Sequence, residues 1–162
     1  MRKKKIIALY PGTFDPITFG HLDVLNRASE IFDKVIITVS FNPNKKTMFT
    51  VDERVEMILE SVKNKKNIEV ESFHGILMDF AKKKNAPVIV RGLRAISDFE
   101  FEFQMALMNR KLAQNITTVF LMPHEKYTYL NSSIVRELAT LKGDFTSLVP
   151  KNVAKKLQKK FK

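Results

Sequence analysis

Along the chain, short runs of apolar, largely β-branched residues alternate with longer stretches in which apolar residues recur every three or four positions. The short runs, Ile6–Leu9, Val35–Val39, Ile68–Glu71, Val88–Val90 and Thr117–Leu121, predict strands. The periodic stretches predict helices over His21–Phe32, Val51–Ser61, Ile76–Lys84, Ser97–Leu112, Ser132–Leu141 and Lys151–Lys160. Thr50 and Glu53 have the spacing of a capping box at the start of the second helix. Strands that are apolar on both sides and separated by helices point to a parallel sheet covered on both faces. The expected fold is therefore α/β, a doubly wound five-stranded parallel sheet with helices on both faces. No repeat, low-complexity tract or linker interrupts the pattern, so residues 1–162 are read as a single domain. Gly143 and Pro150 bracket a loop before the last helix, which is expected to be a C-terminal helical appendage.

One helix breaks the amphipathic rule. At about 100° per residue, Phe99, Phe103 and Leu107 share one face of Ser97–Leu112. Phe101, Met105, Met108 and Leu112 fall roughly opposite. A helix apolar on two faces is usually buried on both. One face can meet the sheet, and the other can meet either another part of the chain or a second subunit.

Composition narrows the class. The chain has 162 residues and 44% hydrophobic content, enough for a full core. No apolar run approaches the roughly 20 residues of a membrane span. Basic residues 2–5 precede an apolar run too short for a signal peptide. Cysteine is absent, so there are no disulfides and no thiolate chemistry. The expected setting is cytoplasmic. The formal charge is +11, from 28 basic and 17 acidic residues. The lysines are dispersed over helix ends and the C-terminal tail, which favours a solvated surface over a nucleic-acid face.

In doubly wound folds, ligands bind beyond the carboxyl ends of the strands. The segment after the first strand reads Tyr10-Pro11-Gly12-Thr13-Phe14-Asp15-Pro16-Ile17-Thr18-Phe19-Gly20-His21, a small-residue turn leading into a helix start. A helix start offers free N–H groups and a positive dipole end, which suit a phosphate. Its T-x-G-H element, Thr18 to His21, has a bland reading as a helix cap and a surface histidine. Its place after the first strand favours a functional site. Asn42, Asn44, Lys45 and Lys46 follow the second strand. Arg91-Gly92-Leu93-Arg94 ends the fourth. Arg91 directly follows buried-looking valines, so its charge needs a partner, and a ligand phosphate is one. Leu130-Asn131-Ser132-Ser133 opens a helix, where Ser132 is either a plain cap or part of a hydroxyl and N–H cradle. His74 and His124 have no metal-ligand spacing and are read as surface residues. No Walker lysine motif or G-x-G-x-x-G occurs.

The rim so assembled is rich in donors and has no evident general base. That suits phosphoryl chemistry in which the attacking group is already anionic. Attack of an acceptor phosphate on the α-phosphate of a nucleoside triphosphate would need none. His21 and Thr18 would donate to the crowded phosphate, Lys45 would hold the incoming one, and magnesium would screen the triphosphate.

The ordered set Tyr10–Thr18, Gly20-His21, Lys45-Lys46, Met48-Phe49, Glu53-Arg54, Arg91–Ala95, Asp98-Phe99-Glu100, Phe120–Pro123 and Ser132-Ser133 resembles bacterial phosphopantetheine adenylyltransferases over essentially the whole chain. The resemblance implies a Rossmann-like fold and transfer of AMP from ATP to 4′-phosphopantetheine, giving dephospho-coenzyme A and pyrophosphate. It also implies a Mg2+ requirement, a homohexamer, and neither nucleic-acid nor membrane partners. By matching positions it places Thr13, Lys45, Leu77 and Arg91 on the pantetheine substrate. It places Thr13, Phe14, His21, Gly92, Leu93, Arg94, Glu102, Tyr127, Thr128, Tyr129, Leu130, Asn131, Ser132 and Ser133 around ATP, with His21 stabilising the transition state. The chain departs from the family at Asn131, where the first of three cradle serines is usual. Two other functions compete: an adenylyltransferase acting on nicotinate mononucleotide, and a basic RNA-binding protein on a nucleotide fold.

Overall fold

The computed structural model of the chain describes residues 5–41 and 46–161. Five strands, β1 (Ile7–Gly12), β2 (Lys34–Ser40), β3 (Ile68–Phe73), β4 (Val88–Gly92) and β5 (Thr117–Leu121), form one sheet in the order β3-β2-β1-β4-β5. Every pairing is parallel. The helices are α1 (Phe19–Ile31), α2 (Val51–Val62), α3 (Leu77–Lys83), α4 (Ile96–Leu112), α5 (Ser132–Thr140) and α6 (Lys151–Lys160), with a short 3-10 turn at Glu125–Tyr127. The α/β doubly wound reading of the sequence is what the chain forms. The first four strands run past their predicted carboxyl ends, and in β1 and β4 the extension takes in Pro11-Gly12 and Arg91-Gly92, so the polar site segments begin inside the sheet.

Alternation along the strands fills two layers. Ala8 and Tyr10 of β1 point into the larger layer with Val35, Ile37, Val39 and Val90, against α1, α2, α5 and α6. Leu9, Ile36 and Ile89 point the other way, into a smaller layer with Met78, Ala81, Ala113 and Ile116. In α6, Val153, Ala154 and Leu157 are buried in the larger layer, so this helix is part of the core rather than an addition to it. Asn152 ties it to α2 by donating to the Met57 carbonyl (2.9 Å). The capping box of α2 forms as read, Glu53 N–H on Thr50 Oγ1 and Thr50 N–H on Glu53 Oε2.

The expectation that one apolar face of α4 meets the sheet does not hold within the single chain. Phe99, Phe101, Phe103, Met105, Leu107, Met108 and Leu112 are all between 42% and 62% exposed. The smaller layer is filled by α3 and by Ala113 and Ile116, which lie beyond α4's end.

The sheet reverses its winding between β1 and β4. Their pairing is confined to Ala8 with Val88 and Leu9 with Ile89. Beyond that point the strands part, and a crevice opens at their carboxyl ends, the usual ligand position in such sheets.

Candidate active site

A cavity of about 500 Å3 fills this crevice. Its walls come from the β1 end and following turn (Tyr10 to Asp15), from the start of α1 (Gly20, His21), and from Lys46 and Thr47. The β4 end and α4 add Arg91, Gly92, Arg94 and Glu102, and the start of α5 adds Leu130 to Ser133 and Arg136.

The start of α1 is a capping box built on histidine. Thr18 is its N-cap and His21 its third residue. The Thr18 N–H donates to His21 Nδ1 (3.1 Å), and Thr18 Oγ1 lies 3.0 Å from the same nitrogen. The His21 N–H returns to Thr18 Oγ1 at 3.4 Å. A backbone N–H can only donate, so Nδ1 is an acceptor and the ring proton resides on Nε2. Phe14 packs its ring edge-on against the imidazole, with centroids 5.2 Å apart. Gly12 is required beneath it, because a Cβ there would fall 2.7 Å from a Phe14 ring carbon. Burial, reinforced by Arg94 and Arg91, lowers the His21 pKa to about 4. The site therefore presents a neutral imidazole N–H, fixed in tautomer and direction. Thr18 is fully buried, and its hydroxyl is engaged with His21 instead of facing the cavity. Its part is to aim the ring.

This depressed pKa has a consequence for stability. The folded state keeps His21 neutral where the unfolded chain takes up a proton, so stability rises with pH across that interval. Folding stability should decline as pH falls from about 6.5 to about 4, and His21→Gln should remove that part of the decline in denaturant titrations. An unchanged slope in the variant would contradict the assignment.

The charge partner that Arg91 required is Glu102. Arg91 Nε and Nη2 donate to its two carboxylate oxygens (2.8 and 2.6 Å), and Nη1 donates to the Pro11 carbonyl across the crevice (2.9 Å). Burial opposes the Arg91 charge, but the Glu102 bonds outweigh it and raise the pKa. Arg94 donates to Asp98 (3.1 Å) and to the Leu130 carbonyl (3.2 Å).

At the start of α5 the cap is Asn131, one residue earlier than Ser132. Asn131 Oδ1 accepts the Ile134 N–H (2.9 Å). Ser132 donates to the Pro16 carbonyl (2.8 Å), and Ser133 accepts from Arg136 (3.0 Å). The departure from three serines thus puts an amide where it holds the helix start.

Five other expected residues, Leu77, Leu93, Tyr127, Thr128 and Tyr129, stand back from the cavity. Leu93 hangs on β5 through its N–H on the Leu121 carbonyl (3.0 Å). Leu77 packs in the smaller core layer. Tyr127 is half-buried against the larger layer, Thr128 bonds the Glu125 carbonyl, and Tyr129 is exposed. Thr13 and Phe14 line the cavity. Asn42, Asn44 and Lys45 lie outside the described residues. His74 and His124 are exposed, as read, although His124 also caps the 3-10 turn.

Comparison with known proteins points to one family. A cytidylyltransferase-like family model matches residues 9–138. A protein of Desulfosudis oleivorans named phosphopantetheine adenylyltransferase is 53% identical over 95% of this chain and 92% of its own length. Relatives with the same name from Alkaliphilus metalliredigens and Heliobacterium modesticaldum are 54% and 52% identical, covering 98% and 92% of their lengths. The chain belongs to the phosphopantetheine adenylyltransferase family.

Against that family background, two residues of the cavity wall, Asp15 and Arg136, and one behind it, Arg54, were given no site role from sequence. Asp15 is a buried carboxylate that accepts the Met48 and Phe49 N–H groups (2.8 and 2.9 Å), tying the segment carrying Lys46 to the β1–α1 turn. Arg54, only 2% exposed, donates to the Thr13 and Ser40 carbonyls (2.6 and 3.2 Å) behind that turn. Arg136 donates to the Asp15 carbonyl and lies 3.7 Å from its carboxylate. A signal for Arg136 existed: three and four residues past Ser133 and Ser132, it shares their helix face.

Proposed function

We propose that the chain transfers the adenylyl group of ATP to 4′-phosphopantetheine in the cytoplasm, releasing dephospho-coenzyme A and pyrophosphate. The observation that carries the mechanism is that His21, at a helix start, lines a cavity walled by arginines with its Nδ1 held by the Thr18 N–H, which leaves the Nε2 side of the ring to donate. An acceptor phosphate oxygen forms the new bond to the α-phosphorus in line with departing pyrophosphate. The bond from that phosphorus to the bridging oxygen breaks, and no covalent enzyme intermediate forms. The acceptor oxygen is anionic at neutral pH, so no general base is required. The His21 Nε2–H donates to the α-phosphoryl oxygen as charge builds. Arg94, Arg136, Ser133 and the free N–H groups opening α5 hold the triphosphate, with Gly92 and Leu130 closing the wall. Arg91, Thr13 and Lys45 hold the acceptor.

The donor set suits magnesium brought in by the nucleotide. Among the described residues no group of three potential metal ligands gathers, and the three lining carboxylates each face an arginine. Phosphate oxygens and water would complete the ion's shell, and when bound it screens the triphosphate charge.

The uncovered α4 supports a homohexamer. Seven large apolar side chains on one half-exposed helix exceed what an isolated subunit normally leaves to water. Light scattering should report six chains, and Phe101→Glu with Met105→Glu should shift the mass downward. A stable monomer of the unaltered chain would contradict the assembly. No helix among the described residues is long and apolar enough to cross a membrane.

A pyrophosphate-release assay over a panel of acceptors tests the reaction. Release with ATP and 4′-phosphopantetheine, and none with nicotinate mononucleotide or with ATP alone, is the expected result. Release with the mononucleotide alone would overturn the substrate assignment. Inversion of configuration at a chiral α-phosphorus is expected for single displacement, and retention would reveal an intermediate.

A further inference from the structure

In the cavity that must take polyanions, the arginine charge is matched from within. Each arginine on its wall faces a carboxylate of the same chain: Arg91 with Glu102, Arg94 with Asp98, and Arg136 with Asp15. The first pair differs in kind. Glu102 takes the Nε and Nη2 edge of Arg91 with both oxygens, a two-pronged pairing that fixes the plane of the guanidinium as well as its position. Glu102 is also buried, whereas Asp98 is half-exposed, and Arg136 approaches the Asp15 carboxylate only at 3.7 Å. With Nη1 anchored on the Pro11 carbonyl, three of the five N–H donors of Arg91 are committed to protein. Two remain for a ligand, carried by a group whose net charge is already matched.

We propose that Glu102 is a positioning residue for the transfer that acts through Arg91. It holds the guanidinium flat against the end of β1 and cancels its charge. Arg91 then meets the acceptor phosphate as a directed pair of donors rather than as a bare cation. This rests on the adenylyl-transfer reading above, and it replaces the direct ATP contact that family resemblance implies for Glu102. The physical consequence is a balance. A bare guanidinium in a buried crevice would hold a dianionic phosphate tightly, and would hold the product's diphosphate as tightly. A neutralised one orients the phosphate and still lets product go.

Glu102→Gln tests this, because the amide keeps the shape and one acceptor oxygen while removing the charge. Calorimetry should show 4′-phosphopantetheine and dephospho-coenzyme A binding about tenfold more tightly, with a steeper salt dependence. Pantetheine, which lacks the phosphate, should be unaffected. Turnover should fall about tenfold through slower product release, with the KM for ATP within about twofold of the unaltered enzyme. A raised KM for ATP with unchanged acceptor affinity would overturn the proposal in favour of direct nucleotide contact. Equal loss of both affinities, or no change in either, would overturn it as well. If Glu102→Gln fails to fold, Glu102→Asp carries the test: charge is kept, so acceptor affinity stays within about threefold while kcat drops, and a raised KM for ATP would again overturn it. If the unaltered protein released no pyrophosphate with any phosphorylated acceptor, the adenylyl-transfer reading would fail instead. Glu102→Gln should even then bind inorganic phosphate more tightly than the unaltered chain, and equal binding would refute the role of Glu102.

Discussion

Replacing His21 by alanine is expected to lower kcat by about 10²–10³-fold while ATP affinity changes only a few-fold. The asymmetry follows from geometry. In the ground state the triphosphate is held by arginines and helix-start N–H groups that the variant retains. The Nε2–H matters most when charge gathers on the α-phosphoryl oxygens, so its loss falls on the transition state. Thr18→Val should give a smaller loss, about tenfold, because the Thr18 N–H still holds Nδ1 after the hydroxyl is gone. Steady-state kinetics on both variants decides the matter: an unchanged kcat in His21→Ala would remove its assigned role. Because the pKa in the free folded chain is about 4, kcat/KM should also show no inflection from this histidine between about pH 5.5 and 8.

Asp15→Ala is expected to cost about 3–5 kcal/mol of folding stability, the largest effect of any single change at the site. The carboxylate is buried, accepts two backbone N–H groups, and lies beside the Arg136 guanidinium. It also supplies the counter-charge for Arg54, whose pKa burial lowers and Asp15 raises. Removing it strands two donors and leaves a buried guanidinium held by carbonyls alone. Asp15→Asn, which keeps one acceptor oxygen, should cost less than half as much. Denaturant unfolding of both variants measures this, and a loss under 1 kcal/mol in Asp15→Ala would contradict the role of Asp15 as a brace.

Much of this molecule was readable from residue order. Alternation of apolar runs with periodic stretches gave all five strands and six helices, because a fully covered parallel sheet needs strands apolar on both sides. The rule that ligands sit at strand carboxyl ends collects His21, Arg91, Arg94 and Ser133 from residue order alone, and all four line the cavity. The pairing of charges was not readable. Glu102 meets Arg91 only because α4 folds back over the end of β4, and Asp15 meets Arg136 across 121 positions of chain. Sequence spacing carries no trace of such contacts. The exposure of α4 was hidden for a related reason. Apolar residues all around a helix announce burial, but they do not say whether the covering surface belongs to the same chain.

The most direct measurement is a crystal structure with a non-hydrolysable ATP analogue. The expected result places the α-phosphoryl oxygen within hydrogen-bond distance of His21 Nε2, with Nδ1 still on the Thr18 N–H and the triphosphate along the start of α5. A nucleotide bound elsewhere, or an imidazole turned so that Nδ1 faces the phosphate, would contradict the proposed chemistry.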